Sequence, residues 1–148
     1  MTAKQRNWAV GLGCASLALV LLLAALRFFL PGGRTYTLSL PDYPDLRGVT
    51  LTPENGQAVK LADAYGEDVL FVLKGKGRTT HNESIQDAPV NVDSWIKVDI
   101  ARRDGGTSTL FVYQRPDARN GEFFIEQPYN GIYEISGDEY NTIKQYAR

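Results

Sequence analysis

From Asp104 to Ile135 the chain alternates, turns, alternates and turns again. Asp104-Gly105-Gly106 and Asn120-Gly121 are turn chemistry, because glycine accepts the positive φ of tight hairpins. Thr107–Gln114 reads as a strand and Glu122–Glu126 as its antiparallel partner, with Gly106 expected to take the positive φ. Tyr129-Asn130-Gly131 turns again into a short strand, Ile132–Ile135. Just upstream, Trp95–Ala101 places Ile96, Val98 and Ile100 on one face and Trp95, Lys97 and Asp99 on the other. If Leu110 and Val112 join that core face, Phe111 and Tyr113 join Trp95 opposite, with Phe124 following if the register allows. Either a second layer covers those aromatics, such as the Asp42–Arg47 segment or a helix, or they form an exposed patch for a protein, peptide or glycan. Trp95, Phe111 and Tyr113 are therefore the candidate interaction face.

The rest of the chain fits around this hairpin. Thr35–Leu40 alternates and is a candidate strand, broken at Pro41. Val49–Thr52 and Gln57–Leu61 flank Pro53-Glu54-Asn55-Gly56, a second hairpin. Ala64–Lys74 reads as a helix capped by Asp63, with Val69, Leu70 and Leu73 inward, ended by Gly75-Lys76-Gly77. Glu139–Ala147 reads as a last helix capped by Asp138, with Tyr140, Ile143 and Tyr146 at helical spacing. The expected fold is α+β: an antiparallel, twisted sheet of about five to seven strands with one or two helices packed on one face.

The N-terminus is of another kind. Trp8–Leu30 is apolar save Arg27, and about 20 apolar residues cross a bilayer. Lys4 and Arg6 favour a cytoplasmic start. The expected order is a cytoplasmic tail (1–7), a transmembrane signal anchor (8–30), a short linker (31–34) and an extracytoplasmic domain (35–148). Secretion after signal cleavage is the alternative; lipidation at Cys14 is poorly placed. The part from Arg34 onward carries 13 basic against 17 acidic residues, a formal −4. That argues against a nucleic-acid surface. Its lack of cysteine excludes a disulfide frame.

The string Gly105-Gly106-Thr107-Ser108-Thr109-Leu110-Phe111-Val112-Tyr113, followed by Glu126-Gln127-Pro128-Tyr129-Asn130-Gly131-Ile132-Tyr133, resembles a family of small domains of unknown function. The family occurs in Gram-positive bacteria on secreted, lipoprotein-like or membrane-anchored proteins. Thr80, Ser84, Asp87, Pro89 and Val92–Ile96 also resemble its pattern, so the likeness runs from about Tyr36 to the C-terminus. It implies one folded unit in the envelope and carries no activity.

Chemistry-bearing residues are sparse. His81 is the one histidine, and a zinc site needs at least three suitable ligands; no cofactor or metal is expected. Neither Ser84 nor Ser108 sits in a nucleophile elbow. Gly75-Lys76-Gly77-Arg78 lacks phosphate-loop spacing. Arg78, Thr80, His81, Ser84 and Asp87 form a candidate polar loop for a ligand, set against side chains that merely satisfy their own backbone. The favoured function is a membrane-anchored extracytoplasmic binding or interaction module of the envelope, partnered by a protein or glycan. The alternatives are a carboxylate-dependent envelope hydrolase and a structural subunit of a membrane complex. A close carboxylate pair in a cleft marks the hydrolase.

Overall fold

The computed structural model describes residues 16–25, 33–116 and 122–148. The chain divides into two compact units, residues 1–35 and Tyr36–Arg148. In the first, residues 16–25 are helical (α1), with Leu17, Leu19, Val20, Leu21, Leu22 and Leu23 all exposed. Among the described residues no helix is long and apolar enough to cross a membrane. Residues 16–25 rise about 15 Å against a hydrocarbon core of about 30 Å. The remainder of the expected span, with Cys14, lies outside the described residues.

The second unit is α+β, as its alternation requires. Its elements are β1 (Tyr36–Thr37), β2 (Leu46–Pro53), β3 (Val59–Lys60), α2 (Asp63–Lys74), β4 (Thr79–Thr80), β5 (Trp95–Arg102), β6 (Thr107–Gln114), β7 (Phe123–Glu126), β8 (Ile132–Ile135) and α3 (Gly137–Lys144). Six strands form one antiparallel sheet in the order β3-β2-β5-β6-β7-β8, and β1 pairs with β4.

Register explains the faces. Ile96 lies opposite Val112, and Val112 opposite Ile125, which faces Tyr133. Leu51, Val98 and Leu110 form the next row. On this side α2 supplies Val69, Leu70 and Leu73, and α3 supplies Tyr140 and Ile143. Gly66 belongs to the packing of α2: a Cβ there would meet Val49 at 3.4 Å.

Several local expectations shift. Only Tyr36–Thr37 of the Thr35–Leu40 run is strand; Ser39 instead bonds to the side chain of Gln127. Asp63 lies inside the first turn of α2, whose N-cap is Ala62. Helix α3 starts earlier than its apolar spacing indicates, because Ser136 and Glu139 close a capping box. It gives way to a 3-10 turn at Gln145–Ala147. In the β5–β6 turn it is Gly105, not Gly106, that takes positive φ, at +92°. The Asp104 carboxylate accepts from the Gly106 amide and turns the chain there. Asn120-Gly121 lies outside the described residues.

Gly105→Val should therefore cost about 1–3 kcal/mol, the usual penalty for a side chain in a sparsely populated backbone region. Gly106→Ala should cost less in the same urea melts. Equal melting of wild type and Gly105→Val would contradict this turn geometry.

Candidate functional site

The second face of the sheet is covered. Trp95 lies opposite Tyr113, and Tyr113 opposite Phe124; the next row runs Lys97, Phe111, Glu126, Ile132. Phe111 and Tyr113 are only 5% and 3% exposed. They form a second small core with Phe124, packed against Ala88, Val92, Trp95 and Ile132. The cover is thus the polar, irregular 81–94 connection, rather than the Asp42–Arg47 segment or a helix. Phe111 and Tyr113 do not form an open interaction face, because burial of so much aromatic surface outweighs ordering one loop. Trp95 stays partly exposed, with its ring edge-to-face on Phe111 at 5.1 Å.

Under that cover lies a carboxylate. Glu126 follows Phe124 by two residues, so it points into the aromatic side and is 3% exposed. Its Oε1 accepts from the Ser84 hydroxyl at 2.6 Å and its Oε2 from the Tyr113 hydroxyl at 3.1 Å. Burial, then the Glu126 charge and hydrogen bond, pushes the Tyr113 phenol well above its ordinary range. Glu126 fastens the cover: Ser84 is 2% exposed, and its amide donates to the Asn130 carbonyl. A charged residue in phase with Phe124 was the sequence signal for this site. The strand alternation alone does not say what would meet it.

The five polar-loop residues do not converge. Arg78 donates to the carbonyls of Val72 and Leu73 at the end of α2 and pairs with Glu139 of the α3 capping box. Burial pushes the Glu139 carboxyl up, but hydrogen bonds from Ser136 and Arg78, together with the Arg78 charge, outweigh it and hold the group low. Thr80 accepts from the Asn82 amide, Ser84 belongs to Glu126, and Asp87 accepts from the Tyr129 hydroxyl at 2.7 Å. His81 is exposed. Arg78, Thr80, Ser84 and Asp87 thus fasten the fold at separate points.

The 126–133 string is a second fastening. The Gln127 amide both donates to and accepts from the Ser39 backbone, at 3.1 and 2.8 Å. Asn130 donates to the Thr37 carbonyl and accepts from the Tyr133 hydroxyl. Gly131 leaves room for this: a Cβ there would lie 2.7 Å from Thr80 and 2.9 Å from the Tyr133 hydroxyl. So the string ties down the segment by which the chain enters the domain.

Two clefts remain. One, about 120 Å³, is lined by Arg47, Asp63, Glu67 and Arg103 among others. Asp63 and Glu67 are both solvent-exposed near the start of α2. Both stand in solvent, whereas a general acid of this kind needs one carboxyl desolvated. The other is an open groove of about 400 Å³. Trp95, Ile96, Pro53 and Tyr140 give it an apolar lining, with Lys144 and Arg148 along α3 and the turn after it. Ser94, Glu54 and Asn55 complete its polar lining. Among the described residues no three His, Cys, Asp or Glu side chains are grouped to hold a metal.

A family model named DUF5301, described as a domain of unknown function (DUF5300), matches residues 34–134. An NMR structure of a protein from Ruminococcus gnavus is similar at 27% identity and a TM-score of 0.52. The match covers 70% of this chain and 98% of that one. A chain with little beyond this unit therefore holds the fold by itself. No curated protein matches the chain.

Phe111→Ala should destabilise the domain by about 3–5 kcal/mol in urea melts, as for other buried aromatics; near-wild-type melting would mean the face is open. A second test is alkaline. Burial raises the Tyr133 phenol to about 12, whereas an unfolded tyrosine titrates near about 10. Between these values the unfolded chain binds fewer protons, so stability is full below about pH 10 and is lost as pH rises through about 12. Tyr133→Phe and Tyr113→Phe should each flatten that alkaline loss, read as melting temperature against pH.

Proposed function

We propose that this chain, which belongs to the DUF5301 family, a domain of unknown function, is a membrane-anchored extracytoplasmic binding module of the cell envelope whose contact site is the groove beside Trp95. The observation that carries the binding reading is that groove: about 400 Å³, open, mostly apolar, with Lys144, Arg148 and Glu54 as its charged lining. Binding sites are concave and apolar, with a few placed polar groups. The partly exposed Trp95 of the expected interaction face lines it, while Phe111 and Tyr113 support Trp95 from below.

Support for the tether is the apolar run Trp8–Leu30 with Lys4 and Arg6 before it. The α1 leucines are exposed all round the helix, a pattern that suits lipid rather than one packed face. Within the domain, the entering segment is fastened at Thr37 and Ser39 to residues just beyond Glu126 at the end of β7. Trp95 lies level with Phe124 near the other end of β7. The groove is thereby displaced from the point of attachment.

Two measurements in intact cells test this reading. Protease added outside spheroplasts should digest residues 34–148, and full protection under an intact bilayer would overturn the topology. A benzophenone amino acid at Ser94, on the groove rim, should give a discrete photoadduct, while the same group at Thr107 should not. Equal labelling from both positions, or none from Ser94, would remove the groove as the contact site.

A further inference from the structure

We propose that the groove binds an extended peptide segment in which acidic residues alternate with apolar ones; this rests on the reading of the groove as the binding site. The shape of the lining comes first. Tyr140 and Lys144 of α3, Ala147 of the 3-10 turn and Arg148 just after it line the groove in succession. The result is a linear stripe, which matches a chain better than a compact small molecule.

Charge comes second. The domain carries 13 basic against 17 acidic residues from Arg34 onward, yet this groove is lined by two cations, Lys144 and Arg148, against one acid, Glu54. Among the described residues neither Lys144 nor Arg148 makes an ion pair, and the Lys144 ammonium sits over the Tyr140 ring at 5.3 Å. Against a negative domain, this local reversal steers an acidic partner to the groove.

Spacing comes third. Lys144 closes α3 and Arg148 follows the 3-10 turn Gln145–Ala147, so at about 1.5–2.0 Å of rise per residue the two positions are about 6–8 Å apart along the axis. Alternate side chains of an extended chain lie about 6–7 Å apart on one side. Carboxylates at every second residue thus meet Lys144 and Arg148 together. The intervening apolar residues point the other way, onto Trp95, Ile96 and Pro53.

Trp95 is the one tryptophan after Gly33, so the fragment 34–148 carries its own reporter in the groove. The probes are three acetylated hexapeptide amides: Glu-Phe-Glu-Leu-Glu-Phe, its Lys-for-Glu counterpart and its Ser-for-Glu counterpart. The acidic peptide should shift Trp95 emission saturably. Its affinity should exceed that of the Ser peptide by at least about tenfold, and should fall as salt rises from about 50 to about 500 mM. The double variant Lys144→Glu/Arg148→Glu, checked to melt as wild type, should lose at least about tenfold for the acidic peptide and gain for the Lys peptide. Equal binding of the Glu and Ser peptides, or an unchanged acidic titration in the double variant, would overturn the acidic preference and leave the groove standing. Phosphatidylglycerol vesicles shifting Trp95 more strongly than the acidic peptide would also overturn it, by assigning the cations to lipid. No shift with any peptide or vesicle would remove both the proposal and the groove as a binding site.

Discussion

A sheet whose central strands are apolar on both faces must be covered twice. β5 and β6 meet this condition: Ile96, Val98, Leu110 and Val112 face one way, and Trp95, Phe111 and Tyr113 the other. Helices α2 and α3 cover the first face in the usual manner of an α+β domain. The second face is covered by a connection with few apolar side chains of its own. Ala88 and Val92 touch the aromatics, while hydrogen bonds hold the connection down.

Glu126 makes that arrangement possible. A buried carboxylate is costly unless its oxygens are satisfied. Here each oxygen has a hydroxyl partner, one from the covering loop and one from the aromatic floor. The interaction therefore joins cover to floor and fixes Ser84 above Tyr113. The neighbouring Gln127 and Asn130 do the same for the entering segment, through backbone groups of Ser39 and Thr37. Glu126, Gln127 and Asn130 are thus accounted for by fastening.

The proposed contact surface is one that the fastening does not use. Once Phe111 and Tyr113 are buried, Trp95 is the member of the aromatic trio that borders open space. The groove it lines is assembled from the β2–β3 turn, the start of β5 and the α3 end of the chain. Those pieces are remote in sequence and are brought together by strand pairing and by the packing of α3 on the sheet.

Much of the fold could be read from local pattern. Thr107–Gln114 and Ile132–Ile135 fall where their alternation places them, and Val69, Leu70, Leu73, Tyr140 and Ile143 face the core as helical spacing requires. The division of Trp95, Phe111 and Tyr113 from Ile96, Val98 and Val112 also follows from the two-residue period, because antiparallel pairing preserves side. The same period cannot say whether a face is wet, since the cover comes from a segment with no periodicity at all. Nor could it show that Ser84 would meet Glu126, that Arg78 would close α2 against Glu139, or that Lys144 and Arg148 would share a groove with Trp95. Each of those contacts joins residues dozens of positions apart. Sequence period sets the direction of a side chain; only the packed chain sets what stands opposite it.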